Sequence, residues 1–133
     1  MPAVVTDTHA LVWYLSRSPK LSSAALQRLQ ATVAGGDPLL IPSVCIVEIT
    51  YLVEKGRLPA AAQHRLARHL DHPDSDLRLV PLDRGVAEAV GRIAREEVPD
   101  MPDRIIAATA LHLGLPLVTR DGRIRASGIQ TIW

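Results

Sequence analysis

Ala3-Val4-Val5-Thr6-Asp7-Thr8-His9-Ala10-Leu11-Val12-Trp13-Tyr14-Leu15 is the stretch whose reading decides the fold. Ala3 to Thr6 is apolar and β-branched, as a short strand requires, and Asp7-Thr8 leads straight into a helical segment from His9 to Leu15. The same alternation continues downstream. Ser22 to Ala34 is rich in Ala, Leu and Gln at helical spacing and closes on Gly35-Gly36. Leu39-Leu40-Ile41 reads as a strand, and the residues after Pro42-Ser43 as a helix running to about Lys55, stopped by Gly56. Pro59 opens a helix over Ala60 to Leu70, followed by the turn-rich Asp71-His72-Pro73-Asp74. Leu77 to Leu82 is a further strand, Arg84 to Glu97 a helix, and Pro102 to Leu113 a helix capped by Gly114. Leu115 to Thr119 and Ile129 to Ile132 supply the last strands. Strands separated by helices predict an α/β fold with a parallel central sheet of four to five strands and helices on both faces.

Composition sets the frame for function. With 133 residues and 47% hydrophobic content the chain can bury the core of one domain, taken as residues 1–133. A net charge of +1 is too balanced for a wrapper of duplex DNA or of an anionic membrane, so any nucleic-acid contact must be local. The first residues lack a basic segment followed by an apolar one, and no apolar run approaches the ~20 residues of a membrane span. A soluble, cytoplasmic protein without membrane contact is expected. Cys45 is the single cysteine, inside Val44-Cys45-Ile46-Val47, which excludes an internal disulfide and a cysteine-based zinc site and predicts a buried thiol.

Four acidic residues stand out because each lies where a strand ends or a helix begins: Asp7, Glu48, Asp103 and Asp121. Ligands of open parallel sheets bind beyond the carboxyl ends of the strands, which places Asp7 and Asp121 on one edge. Asp103 begins a helix, where the dipole favours a negative charge and is expected to keep the group ionised. Glu48 falls roughly 140° around its helix from the polar stripe of Ser43, Thr50 and Glu54, beside the apolar face, where a carboxylate must find a partner. Singly, each has a local explanation. Asp7 can cap a helix, Asp103 can share a capping arrangement with Asp100, Asp121-Gly122 can be a turn, and Glu48 can reach the surface beside Lys55. Together they form the oxygen-rich set that hard divalent cations such as Mg²⁺ or Mn²⁺ take.

The order Val5-Thr6-Asp7-Thr8-His9-Ala10-Leu11, Ser43-Val44-Cys45-Ile46-Val47-Glu48-Ile49, Asp103-Arg104-Ile105-Ile106-Ala107-Ala108-Thr109-Ala110, Leu117-Val118-Thr119-Arg120-Asp121 resembles PIN-domain ribonucleases. It resembles most closely the VapC-type toxins of type II toxin–antitoxin pairs, over essentially the whole chain. The resemblance implies a parallel sheet flanked by helices, with Asp7, Glu48, Asp103 and Asp121 as the catalytic, metal-binding acids and the Thr119 hydroxyl supporting them. Asp103, and not Asp100, fits the spacing Asp-x-x-Ile-Ala-Ala. It also implies an RNA substrate, a VapB-type antitoxin whose tail covers the site, and a second copy of the chain as partner. The apolar helices Leu21 to Val33 and Val44 to Val53 are the surfaces available for those partners. Pro102 and Ile124 stand where related sequences often carry aromatics, a departure in packing more than in chemistry.

Such a site would hydrolyse RNA phosphodiesters with a metal-activated water. Without metal, clustered carboxylates repel, and at least one would hold a proton. Arg104 directly follows Asp103, Arg120 directly precedes Asp121 and Arg123 lies on the next turn, so these arginines are candidates for gripping phosphate, weighed against plain solvated side chains. His9 reads as a helix-start or site-lining residue. The few aromatics argue against an extended stacking platform for single strands. His64, His69 and His72 do not share one helical face and do not read as a second metal site. A receiver domain would need an acidic pair after the first strand and a lysine near the last ones, and an aspartyl phosphatase a second Asp where His9 stands. The remaining alternative is a catalytically inactive module of the same fold that binds RNA or a partner, which ought to have lost acids.

Overall fold

The structure, a computed structural model, describes residues 2–133. In chain order it contains β1 (Val4–Thr6), α1 (Thr8–Leu15), α2 (Ser23–Ala34), β2 (Leu39–Pro42), α3 (Val44–Glu54), α4 (Ala60–Asp71) and β3 (Leu77–Val80). These are followed by α5 (Arg84–Ala89), a single 3-10 turn (Val90–Arg92), α6 (Met101–Leu113), β4 (Leu117–Val118), α7 (Gly122–Ala126) and β5 (Thr131–Ile132). All five strands are parallel, in the order β3-β2-β1-β4-β5. β1 is central, with Val5 opposite Leu40 on one side and Leu117 on the other. Successive side chains of a strand point to opposite faces, and all three residues of β1 are buried, so the sheet is covered on both sides there.

Local chemistry explains most boundaries. Ser22 accepts the Ala25 amide at 3.1 Å to start α2. Gly114 ends α6 in the left-handed conformation at φ 66°, which glycine adopts without a Cβ penalty. β3 stops at Val80, short of the expected Leu82, because Pro81 has no N–H to continue a ladder. α6 carries a continuous buried run, Ile106 to Ala110, and its three alanines let the helix approach β1 and β2 closely.

Two helical segments also differ from the sequence expectation. The helix expected over Arg84 to Glu97 breaks after Ala89 into the 3-10 turn. Val86, Ala89 and Ile93 share one helical face, but Val98 would lie about 120° from Val86 on a continuous helix. All four are buried, and unwinding near Gly91 is what permits it. The segment after Asp121, expected as a turn, is the short helix α7, whose Ile124 is fully buried in the core.

Candidate active site

The sheet order creates the site. Connections from β1 lead to β2 on one side, whereas β4 is laid down on the other, so the chain diverges at the β1/β4 boundary. Beyond the carboxyl ends of strands at such a switch point the loops part and leave a crevice. Here it is a cavity of about 310 Å³ lined by Asp7, His9, Trp13, Glu48, Asp100, Asp103, Arg120 and Asp121.

Each acid is held by the element it begins or rides on. Asp7 caps α1 by accepting the Ala10 amide at 2.8 Å through Oδ1, while Oδ2 accepts the Thr119 hydroxyl at 2.6 Å. Thr119, itself fully buried, also accepts the Asp121 amide at 3.0 Å, so one hydroxyl ties the end of β1 to the exit of β4. Asp121 caps α7 through the Ile124 amide at 2.9 Å. Asp100 caps α6 by accepting the Asp103 amide at 3.1 Å, which leaves the Asp103 carboxylate facing the cavity. Glu48 projects from the middle of α3 and accepts the hydroxyl of Thr8, the first residue of α1. Lys55 lies over the Tyr51 ring, 5.5 Å from its centroid, and Glu48 turns to the Thr8 hydroxyl and the acid cavity rather than out beside Lys55.

Oxygen atoms of Glu48, Asp100 and Asp103 lie within 4.8 Å of one another. Asp7 and Asp121 share the cavity outside this trio, and each carboxylate oxygen engaged in a cap retains a second lone pair. The donor set is entirely hard oxygen, which fits a small divalent cation and not a soft metal. Charge crowding is visible in the ionisation of the acids. Burial raises the Asp7 pKa, against the opposing pull of its hydrogen bonds from Thr119 and Ala10. Asp103 is pushed up to about 7 by burial, then by Asp100, Asp121, Glu48 and Asp7. The expectation that the helix dipole keeps Asp103 ionised is therefore overturned, because desolvation and four neighbouring carboxylates outweigh a half-charge dipole.

Residues 4–128 match the PIN domain family. The chain belongs to that family. Among relatives, it is 29% identical over 131 residues to "Ribonuclease VapC22" of Mycobacterium tuberculosis, covering 95% of this chain and 92% of that one. Its fold matches a chain in the structure of VapBC2 from Rickettsia felis bound to a promoter DNA fragment, with TM-score 0.71, 18% identity and coverage of 97% and 96%. A chain in DNA-bound VapBC from Salmonella typhimurium matches with TM-score 0.71, 21% identity and coverage of 98% and 97%.

In this PIN domain the sequence-predicted acids Asp7, Glu48, Asp103 and Asp121 all reach one cavity, but the arginines divide. Arg120 lines the cavity, its guanidinium 4.6 Å from the centre of the Trp13 ring. Arg104 points elsewhere: it donates to the carbonyls of Val90 at 3.0 Å and Ile93 at 2.9 Å. The Ile93 carbonyl lies just past the 3-10 turn that follows α5, and the Val90 carbonyl also accepts the Ile93 amide at 3.1 Å, so Arg104 braces the turn after α5 and does not line the acid cavity. Arg123 is exposed on α7 and does not line the cavity. Sequence reasoning overlooked Thr8 and Trp13 and left open whether Asp100 shares the site with Asp103. A hydroxyl directly after Asp7, and an aromatic at i+4 from His9 on the same helical face, were the available signals.

Proposed function

We propose that this PIN domain is a metal-dependent endoribonuclease and the toxin of a type II toxin–antitoxin pair, acting in the cytoplasm. The observation that carries this reading is the gathering of Asp7, Glu48, Asp100, Asp103 and Asp121 around one cavity, with an Asp103 carboxyl that stays protonated to about 7. A cluster of this kind is short of a cation. Mg²⁺ or Mn²⁺ would be held by Glu48 and Asp103 together with Asp7, Asp121 and the adjoining Asp100, and when bound supplies Lewis acidity to the scissile phosphate and its attacking water. Thr119 fixes the Asp7 carboxylate and the Asp121 backbone relative to each other, and Thr8 orients Glu48. Arg120 supplies positive charge at the cavity mouth for the RNA backbone.

The partners follow from the relatives named VapBC and from the surface. A VapB-type antitoxin is proposed to lie along α3, where Val47 and Tyr51 are 66% and 52% exposed. They line a groove of about 690 Å³ that shares His9, Glu48 and Asp100 with the acid cavity, so an occupant would run into the site. A second copy of the chain is the other proposed partner. Among the described residues no helix is long and apolar enough to cross a membrane.

The test is cleavage of a mixed RNA pool by the purified chain. Activity is expected with Mg²⁺ or Mn²⁺ and none with chelator, and the same ions should raise the melting temperature. Chelator-resistant cleavage removes the mechanism, and tight RNA binding without cleavage under either ion favours the inactive module. Sedimentation of the same preparation checks the second copy, which a monomer at micromolar concentration excludes.

A further inference from the structure

Arg120 is the one arginine or lysine lining a cavity that carries five carboxylates, and among the described residues its guanidinium makes neither an ion pair nor a hydrogen bond. This is unusual for a cation beside Asp121 in sequence and sharing a cavity with Asp103 and Glu48. Its seat is the ring of Trp13, 4.6 Å from guanidinium carbon to ring centre, within the range of a cation–π contact. Trp13 is itself fixed: it is 8% exposed, on the helix that Asp7 caps, with His9 at 5.6 Å and Trp133 at 5.9 Å between ring centres. The backbone of Arg120 is fixed as well, between the buried Thr119 and the capping Asp121.

A guanidinium free to move would fold onto the carboxylates and neutralise the charge a cation needs. Stacked on an indole face it keeps its charge and its five N–H donors while staying out of the acid cluster. We propose that Trp13 is a positioning residue for the nuclease site, holding Arg120 at the cavity mouth with its donors open for a phosphate of the RNA strand. The proposal rests on the ribonuclease reading for its substrate, and on the Trp13–Arg120 geometry for its mechanism.

The experiment is a double-mutant cycle read two ways: steady-state cleavage of a labelled RNA oligonucleotide with Mn²⁺, and binding of the same RNA by proteins that also carry Asp7→Asn. Arg120→Ala and Trp13→Leu should each raise KM and weaken binding about tenfold, with kcat nearly unchanged, and the double variant should lose no more than either single one. Trp13→Phe keeps an aromatic face and should lose about threefold, a loss that vanishes when Arg120 is alanine. That second cycle decides the matter if Trp13→Leu does not fold. Additive losses in the cycle, or wild-type KM and binding in Trp13→Leu, overturn the proposal. Wild-type protein that binds RNA through this pair yet cleaves none overturns the ribonuclease reading and leaves the pair standing; RNA neither bound nor cleaved overturns both.

Discussion

Asp7 and Asp83 are built alike. Each follows a strand exit with extended backbone, φ −84° and ψ 176° for Asp7 against φ −90° and ψ −174° for Asp83. Each accepts the amide three residues on, Ala10 at 2.8 Å and Val86 at 3.0 Å. Their surroundings differ. β1 is the central strand, and Asp7 is 8% exposed, with Thr119 on its second oxygen and four other carboxylates around the same cavity. β3 is an edge strand, and Asp83 is exposed beside it. The cap is a property of four consecutive residues, whereas the site is a property of which strand lies next to which. A hydroxyl reaches across each boundary too: Thr119 to Asp7, and Ser43 accepting the Leu82 amide at 3.1 Å between β2 and the β3 exit.

The sharpest way to break this comparison is to change both aspartates to asparagine, which caps a helix about as well. Asp7→Asn should lower RNA cleavage by at least on the order of a hundredfold, the upper end of what loss of a mere outer partner of a metal does, while Asp83→Asn leaves the rate unchanged. Equal losses would mean that the caps, not the sheet position, matter. The hydroxyls offer a second contrast, measured by urea unfolding. Thr119→Val leaves a buried Asp7 oxygen without its donor and should cost about 1–3 kcal/mol, whereas Ser43→Ala, at an exposed bridge, should cost about 1 kcal/mol or less. Similar values for the two would dissolve the distinction between the boundaries.

The smallest effect is in pH. The Asp103 carboxyl keeps its proton in the folded chain to about 7 but would ionise near 3.8 once unfolded. Between those values the folded state binds the extra proton, so stability falls as pH rises through the window and levels off above it. In chelator the melting temperature should therefore decline from pH 5 to pH 7, and Asp103→Asn should flatten the decline while Asp83→Asn does not. A slope that persists in Asp103→Asn would assign it to another group.

Much of this was legible because it is local. β1, α1, α3 and α6 begin and end at Asp, Ser, Pro and Gly positions whose backbone preferences are written in the chain, and the parallel sheet followed from strand–helix alternation. Three of the acids were legible because Asp7, Asp103 and Asp121 sit at such boundaries, and Glu48 because it falls beside the apolar face of its helix. What was not legible depends on distant neighbours. Nothing between Arg84 and Glu97 announces that Val98 must be buried along with Ile93, so the helix break was missed, and with it the use of Arg104 to bond the carbonyls of Val90 and Ile93 at the break. Asp103 was misjudged for the same reason: a helix start is visible in sequence, but the four carboxylates that face it arrive from α1, α3, the start of α6 and the β4 exit.

Cys45 lies fully buried at the start of α3, its sulfur 4.0 Å from the Thr6 carbonyl, directly beneath the acids. Burial pushes its pKa upward, so the thiolate that reacts with alkylating reagents is not formed in the closed protein. Labelling must wait for α3 to lift from the sheet. The rate of that labelling is a clock for opening of the floor beneath the site, independent of RNA or metal, and reads how often the molecule comes apart where its chemistry is assembled.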